Sequence, residues 1–197
     1  MADYRAIAGA SEAILELLRH AYAPADFEGR QVEFKVYTGT DFKQPMTAGI
    51  SLFLYRVFHN SSLRTPPGRL NERGRRLQTG LPLDLHFLLT AWAPTASLQH
   101  ALLGWAMRTL EDTPVIPAGL LNARFPDVFR PSETVELVLA ELSTEDLFRI
   151  WETVTESNYQ ISVPYLARMV IIESRVEARD GAPVQQRTFD LGKQIAE

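Results

Sequence analysis

The stretch from residue 49 to residue 93, GISLFLYRVFHNSSLRTPPGRLNERGRRLQTGLPLDLHFLLTAWA, constrains the fold more than any other. Its first run, residues 50–58, is apolar or aromatic on both alternating faces except at Ser51, Tyr55 and Arg56. A strand apolar on both faces belongs in the middle of a layered domain, with cover on each side. The second run, residues 83–92, sets Leu83, Leu85, Phe87 and Leu89 on one face. Asp84, His86, Leu88, Thr90 and Trp92 fall on the other, so that side is only partly dry. Two such strands joined by a basic, Pro/Gly-containing loop predict a sheet with helices packed on it.

The rest of the chain alternates between helical and strand periodicity. A helix starting near Asp3 and ending near Tyr22, before Pro24, places Ile7, Ala10, Ile14, Leu18 and Ala21 on one side. Residues 31–38 alternate Val32, Phe34 and Val36 against Glu33 and Lys35, a half-buried strand. Ser97 reads as the N-cap of a helix to about Thr109. Residues 134–142 form a fourth strand, and Ser143 to Asp146 opens a helix running to about Val154. A last strand spans roughly 160–176, where Pro164 predicts an edge or a bulge at its beginning. The order is αβββαβαβ: a single α/β domain over residues 1–179, a mixed β-sheet flanked by about three helices, and a polar tail or arm over 180–197.

Composition narrows the function classes. The chain has 197 residues, 46% hydrophobic and 22% charged, which fits one globular core. With no cysteine, disulfides, thiolate metal sites and a cysteine nucleophile are excluded. The N-terminus lacks a basic region ahead of an apolar core, and no apolar run reaches the length of a membrane helix. A soluble protein made in the cytoplasm, with no membrane partner, is the expectation. The net charge of −4 gives no sign of a nucleic-acid binder.

The segments SLFLYRVFHN, RTPPGR and LPLDLHFLLTAWA, followed by SLQHALLGWAMRTLEDTPVIP, occur in an order that resembles the tail-terminator or cap family of contractile injection systems. These are phage-tail-like particles of the antifeeding-prophage type. The likeness runs from about residue 4 to residue 190. The resemblance implies a fold similar to phage tail-terminator proteins. It also implies a homohexameric ring on the distal end of the inner tube, ending tube and sheath growth and anchoring the last sheath layer. Its expected partners are further copies of itself, the inner tube protein and the sheath protein. Its place is a particle assembled in the cytoplasm that can be released from the cell. A neck, baseplate or tube ring of the same particle is the alternative.

Three segments offer contact surfaces. The helix at 97–109 carries one apolar stripe, Leu98, Ala101, Leu102, Trp105 and Ala106, and a second beside it, Leu103, Met107 and Leu110. The arc covers about two-thirds of the helix, wider than a sheet-packed helix needs. The loop at 113–132, which includes Leu120, Phe125 and Phe129 among its apolar residues, is long for a connection inside a compact domain. Either feature serves the chain's own core or a neighbouring subunit. The basic loop holds Arg64, Arg69, Arg73, Arg75 and Arg76 against Glu72 alone, a net +4 that leaves −8 elsewhere. A solvated loop or contact with an acidic patch on tube or sheath both fit. Without interleaved aromatics it makes a poor nucleic-acid platform.

Catalytic constellations are weak. Asp84 and His86 share a strand face two residues apart, compatible with an acid–base dyad or a metal pair. No third ligand stands at a recognisable spacing, so a hydrogen-bonded structural pair is the better account. No HExxH, GxSxG or GxxxxGK[ST] motif is present. The sequence therefore predicts a structural protein rather than an enzyme, with no cofactor and no metal.

Overall fold

A computed structural model describes residues 2–62, 68–71, 73–154 and 159–178. The six-stranded mixed sheet has the order β1-β2-β3-β6-β5-β4. Its strands are β1 (Glu33–Tyr37), β2 (Gly49–His59), β3 (Leu81–Trp92), β4 (Val115–Pro117), β5 (Thr134–Leu139) and β6 (Ser162–Ile172). Only β1 and β2 pair in parallel; every other pairing is antiparallel. Four helices lie among the described residues: α1 (Ala6–Ala21), α2 (Ala96–Asp112), the single turn α3 (Ala118–Leu121) and α4 (Thr144–Val154). The α/β class and mixed sheet follow the sequence reading. The additions are β4 and α3, both inside the loop expected to lack structure.

The first face of the sheet carries the main core. Ile50, Leu52, Leu85, Phe87, Leu89, Tyr165, Ala167 and Val170 meet Ala6, Ala10, Ile14 and Leu18 of α1 and Leu102, Ala106 and Leu110 of α2. Small residues on α1 let the long loop approach closely. A Cβ at Gly9 would stand 2.9 Å from the Phe129 ring. Tyr165 buries its hydroxyl here without a hydrogen-bond partner among the described residues. Burial, and then the charge of Glu111, push that phenol up to about 12.

The second face holds a smaller aromatic core. Leu88 and Trp92 pack with Tyr37, Phe42 and Trp151 of α4, and the Trp92 indole N–H donates to Ser51 Oγ at 2.7 Å. The parallel β1–β2 crossover is short for its kind, so its turn is tightly bonded. Asp41 accepts from Thr38 N and Thr38 Oγ1, each at 2.7 Å, and pairs with Lys35. The Lys35 contact, followed by the Thr38 bonds, holds the Asp41 carboxyl down at about 2. Where the two strands meet, a Cβ on Gly49 would lie 2.1 Å from Glu33 O, a space that admits glycine alone.

Three expectations are corrected. Strand β2 is buried only in its first half; Val57 and Phe58 are exposed. The cause is that β1 pairs with Gly49–Phe53 and goes no further, while α4 covers only part of the second face. Strand β6 is central rather than an edge despite Pro164. The Pro164 carbonyl accepts from Ala140 just past the end of β5, so its missing N–H falls where that ladder has finished. The bulge of β6 lies further on, opposite Asp84. The helix α2 is capped by Thr95, whose side chain accepts from Leu98 N, not by Ser97.

Candidate assembly surfaces

The described residues of the basic loop, 68–71 and 73–77, form a small hairpin at one end of the sheet. Leu70 bridges Arg76, and Asn71 Oδ1 accepts from the backbone N–H groups of Arg73 and Arg75. Gly74 turns the chain at φ 71°. The hairpin is fastened to the segment that follows β6, because Leu77 bridges Glu177 and Ala178 N donates to Arg76 O. The register places it beside the end of β2 and the start of β3.

Ion pairs tie this hairpin to the rest of the chain. Arg69 lies 3.3 Å from Glu133 and 2.9 Å from Glu173, and Arg130 reaches Glu173 at 3.0 Å. The Glu173 side chain is only 7% exposed, so two guanidiniums compensate a nearly buried carboxylate. Arg75 pairs with Glu177 at 2.9 Å and holds that carboxyl below its ordinary range. Arg69 and Arg75 thus make internal ion pairs, which neither the solvated-loop reading nor the partner-contact reading included. Arg73 and Arg76 are exposed and have no acidic partner among the described residues; Arg64 lies outside those residues, as does the 180–197 tail.

The apolar candidates lie mostly inward. Leu103 and Phe129 belong to the chain's own core, at 6% and 5% exposure. Met107, Leu120 and Phe125 pack partly buried against it. The wide apolar arc of α2 is therefore covered chiefly by this chain. Asn122 secures the long loop by donating to Phe129 O and accepting from Phe129 N, both at 2.8 Å.

Asp84 and His86 serve separate purposes. The Asp84 carboxylate accepts from Asn60 Nδ2 at 3.0 Å on both oxygens and from Met169 N at 3.1 Å. Met169 is the left-handed residue of the β6 bulge, at φ 61°, so Asp84 caps that bulge. His86 sits between the rings of Tyr55 and Phe58, with centroids 6.0 Å away in each case. Burial, then the charge of Arg56, holds its imidazole below the usual value, against a weaker upward pull from Asp84. Among the described residues no group of three or more His, Cys, Asp or Glu is placed to hold a metal.

Sequence reasoning missed the exposed apolar residues at this end of the sheet. Leu70 is 64% exposed and Val176 57%, with Leu81, Val57 and Phe58 nearby in register. Arg56 stacks over Phe58, its guanidinium carbon 3.6 Å from the ring centroid. The only available signal was an apolar residue next to a charge run, as in Arg69-Leu70 and Arg175-Val176.

The described residues place arginines, aromatic rings and aliphatic side chains at the surface around a mixed sheet. The chain belongs to the Pvc16 N-terminal domain family, whose model matches residues 9–186. Solved structures that share the fold include two terminator proteins. One is the sheath/tube terminator, in the extended state, of the extracellular contractile injection system PVC. It has a TM-score of 0.59 and 15% identity, covering 94% of this chain and 65% of that one. The other is the tube-terminating cap of the anti-feeding prophage, with a TM-score of 0.54 and 16% identity, covering 90% of this chain and 58% of that one. The chain thus spans about three-fifths of the length of those proteins. No curated protein sequence matches it. The resemblance to the cap family read from the sequence is confirmed, and no helix among the described residues is long and apolar enough to cross a membrane.

Proposed function

We propose that this protein is a terminating cap of a contractile injection system. In this reading it forms a hexameric ring on the distal end of the inner tube, stops tube and sheath growth, and anchors the last sheath layer. The observation that carries the reading is the match of one family model to residues 9–186, on a fold shared with two tube-terminating proteins. Its partners are then other copies of itself, the inner tube protein and the sheath protein, and assembly takes place in the cytoplasm. The role is structural: Asp84, the best acid–base candidate, is spent on capping a bulge.

Negative-stain imaging of particles made with and without the protein tests this. Without a cap, tube lengths spread and the sheath is lost from the distal end. Particles of unchanged length and sheath content overturn the proposal. Complete absence of tubes assigns the protein to the baseplate instead.

A further inference from the structure

We propose that the cavity beneath the arginine hairpin seats an apolar side chain carried on an acidic segment of a partner protein. This cavity, of about 230 Å³, is lined by Arg69, Leu77, Gln78, Gly80, Ile171, Glu173 and Ser174. It is smaller than the roughly 300–1,000 Å³ of small-molecule sites. It is larger than the ~150 Å³ of apolar space that accepts a benzene ring. One aromatic or branched side chain is the occupant of matching size.

Charge selects the segment that carries this anchor. Inside the cavity Arg69 stands 2.9 Å from Glu173, which balances that carboxylate's charge although its Oε1 makes no hydrogen bond among the described residues, so the lining calls for no further anion. The hairpin that supplies Arg69 and Leu77 to the lining also carries Arg73 and Arg76, exposed and without an acidic partner among the described residues, and Arg75, which is shared with Glu177. Leu70, next to Arg69 in the chain, and Val176, whose carbonyl accepts from Gln78 N, are exposed apolar residues on the segments that line the cavity. An apolar centre within a cationic rim is how interface anchors are built: the buried side chain supplies affinity and the charges supply steering and selection. Because exposed charges are screened within about 8 Å at physiological salt, the acidic groups must flank the anchor directly. The proposal takes from the cap reading only the expectation that a partner protein exists.

The test is an NMR titration of the full chain, following the amides of Leu77, Gln78, Gly80 and Ser174. The probe is a short peptide with one phenylalanine between pairs of glutamates, compared with the same peptide carrying alanine. The phenylalanine peptide should bind about tenfold more tightly, and salt should weaken both. Arg73→Gln with Arg76→Gln should lower the affinity for both peptides and flatten the salt dependence. Gln78→Trp, which fills the cavity from an exposed position, should abolish the phenylalanine preference while leaving the salt dependence. Ser174→Leu fills it from another wall and serves if the first variant folds poorly. Equal binding of the two peptides overturns the proposal, as does an intact preference in both filled variants. Two further results also overturn it. Tighter peptide binding by Phe189→Ala would make the chain's own residues beyond 178 the occupant. Stronger binding of an oligouridine than of the peptide would make the loop a nucleic-acid contact. Tube length is read separately, so this inference and the cap reading fail by different measurements.

Discussion

Replacing Asp84 with alanine isolates the role of the residue that looked most like a catalyst. The substitution strands two donors at once, the Met169 backbone N–H and the Asn60 side-chain amide, the latter on a residue only 7% exposed. An unsatisfied buried donor costs about 1–3 kcal/mol. The two share one acceptor and relax together, so we expect a total of about 2–4 kcal/mol rather than a full sum. At ~2–4 °C per kcal/mol for a chain of this size, the melting temperature should fall by roughly 4–16 °C. Asp84→Asn retains one acceptor oxygen but turns an N–H group toward Asn60, so it should lose about half as much. Urea unfolding of the parent, Asp84→Ala, Asn60→Ala and the double variant forms a closed cycle. Coupling of about 1 kcal/mol between the two positions is expected, because both report on one carboxylate. Amide exchange at Met169 should also rise in Asp84→Ala, where the left-handed residue loses its acceptor. The reasoning is refuted if Asp84→Ala unfolds within about 0.5 kcal/mol of the parent, the range of ordinary surface changes. A bound metal lost on substitution at His86 while the fold persists would refute it from the other side.

Three shorter expectations follow from the same structure. Burial and Arg56 depress the His86 imidazole, so the unfolded chain takes up its proton first; the His86 contribution is complete above pH ~6.5 and lost as the pH falls below it. In His86→Gln the urea midpoints at pH 7.5 and 5.5 should therefore differ less than in the parent. Tyr165→Phe removes a buried hydroxyl without a partner and should leave the melting temperature unchanged or higher; a loss above about 1 kcal/mol would reveal a hidden bond. Leu103→Glu should fail to fold, since it places a carboxylate in the core, whereas half-buried Met107→Glu should fold; a soluble, native-like Leu103→Glu would return that position to the surface.

How far the sequence disclosed this molecule depended on the range over which each feature is determined. Helix α4 was legible because its signal is local: Ser143 Oγ accepts from Asp146 N at 3.1 Å, in the expected capping geometry. Strands β2 and β3 were legible because alternation along ten residues survives any sheet order. The order itself was not. The parallel pairing of β1 with β2 and the insertion of β6 between β3 and β5 join segments that no local pattern links. The same limit misjudged the arginines. Arg69 finds Glu133 64 residues away, and Arg75 finds Glu177 102 residues away. From the sequence the loop showed only unbalanced charge.

These long-range pairings also decide which surfaces are free for assembly. The apolar residues of α2 and of the long loop mostly line the chain's own core, so a wide helical stripe was not evidence of a subunit contact here. Some of the exposed apolar residues, Val57 and Phe58 among them, lie where the internal cover stops. Strand β1 ends opposite Phe53, and α4 covers only part of the second face. The hairpin holds two arginines for which the described residues supply no acid. A contact surface built at such an end uses groups whose loss costs the isolated fold little, so variants there should separate assembly from stability. Substitutions in the α1–α2–loop core cannot make that separation, because each removes packing before it reaches a partner.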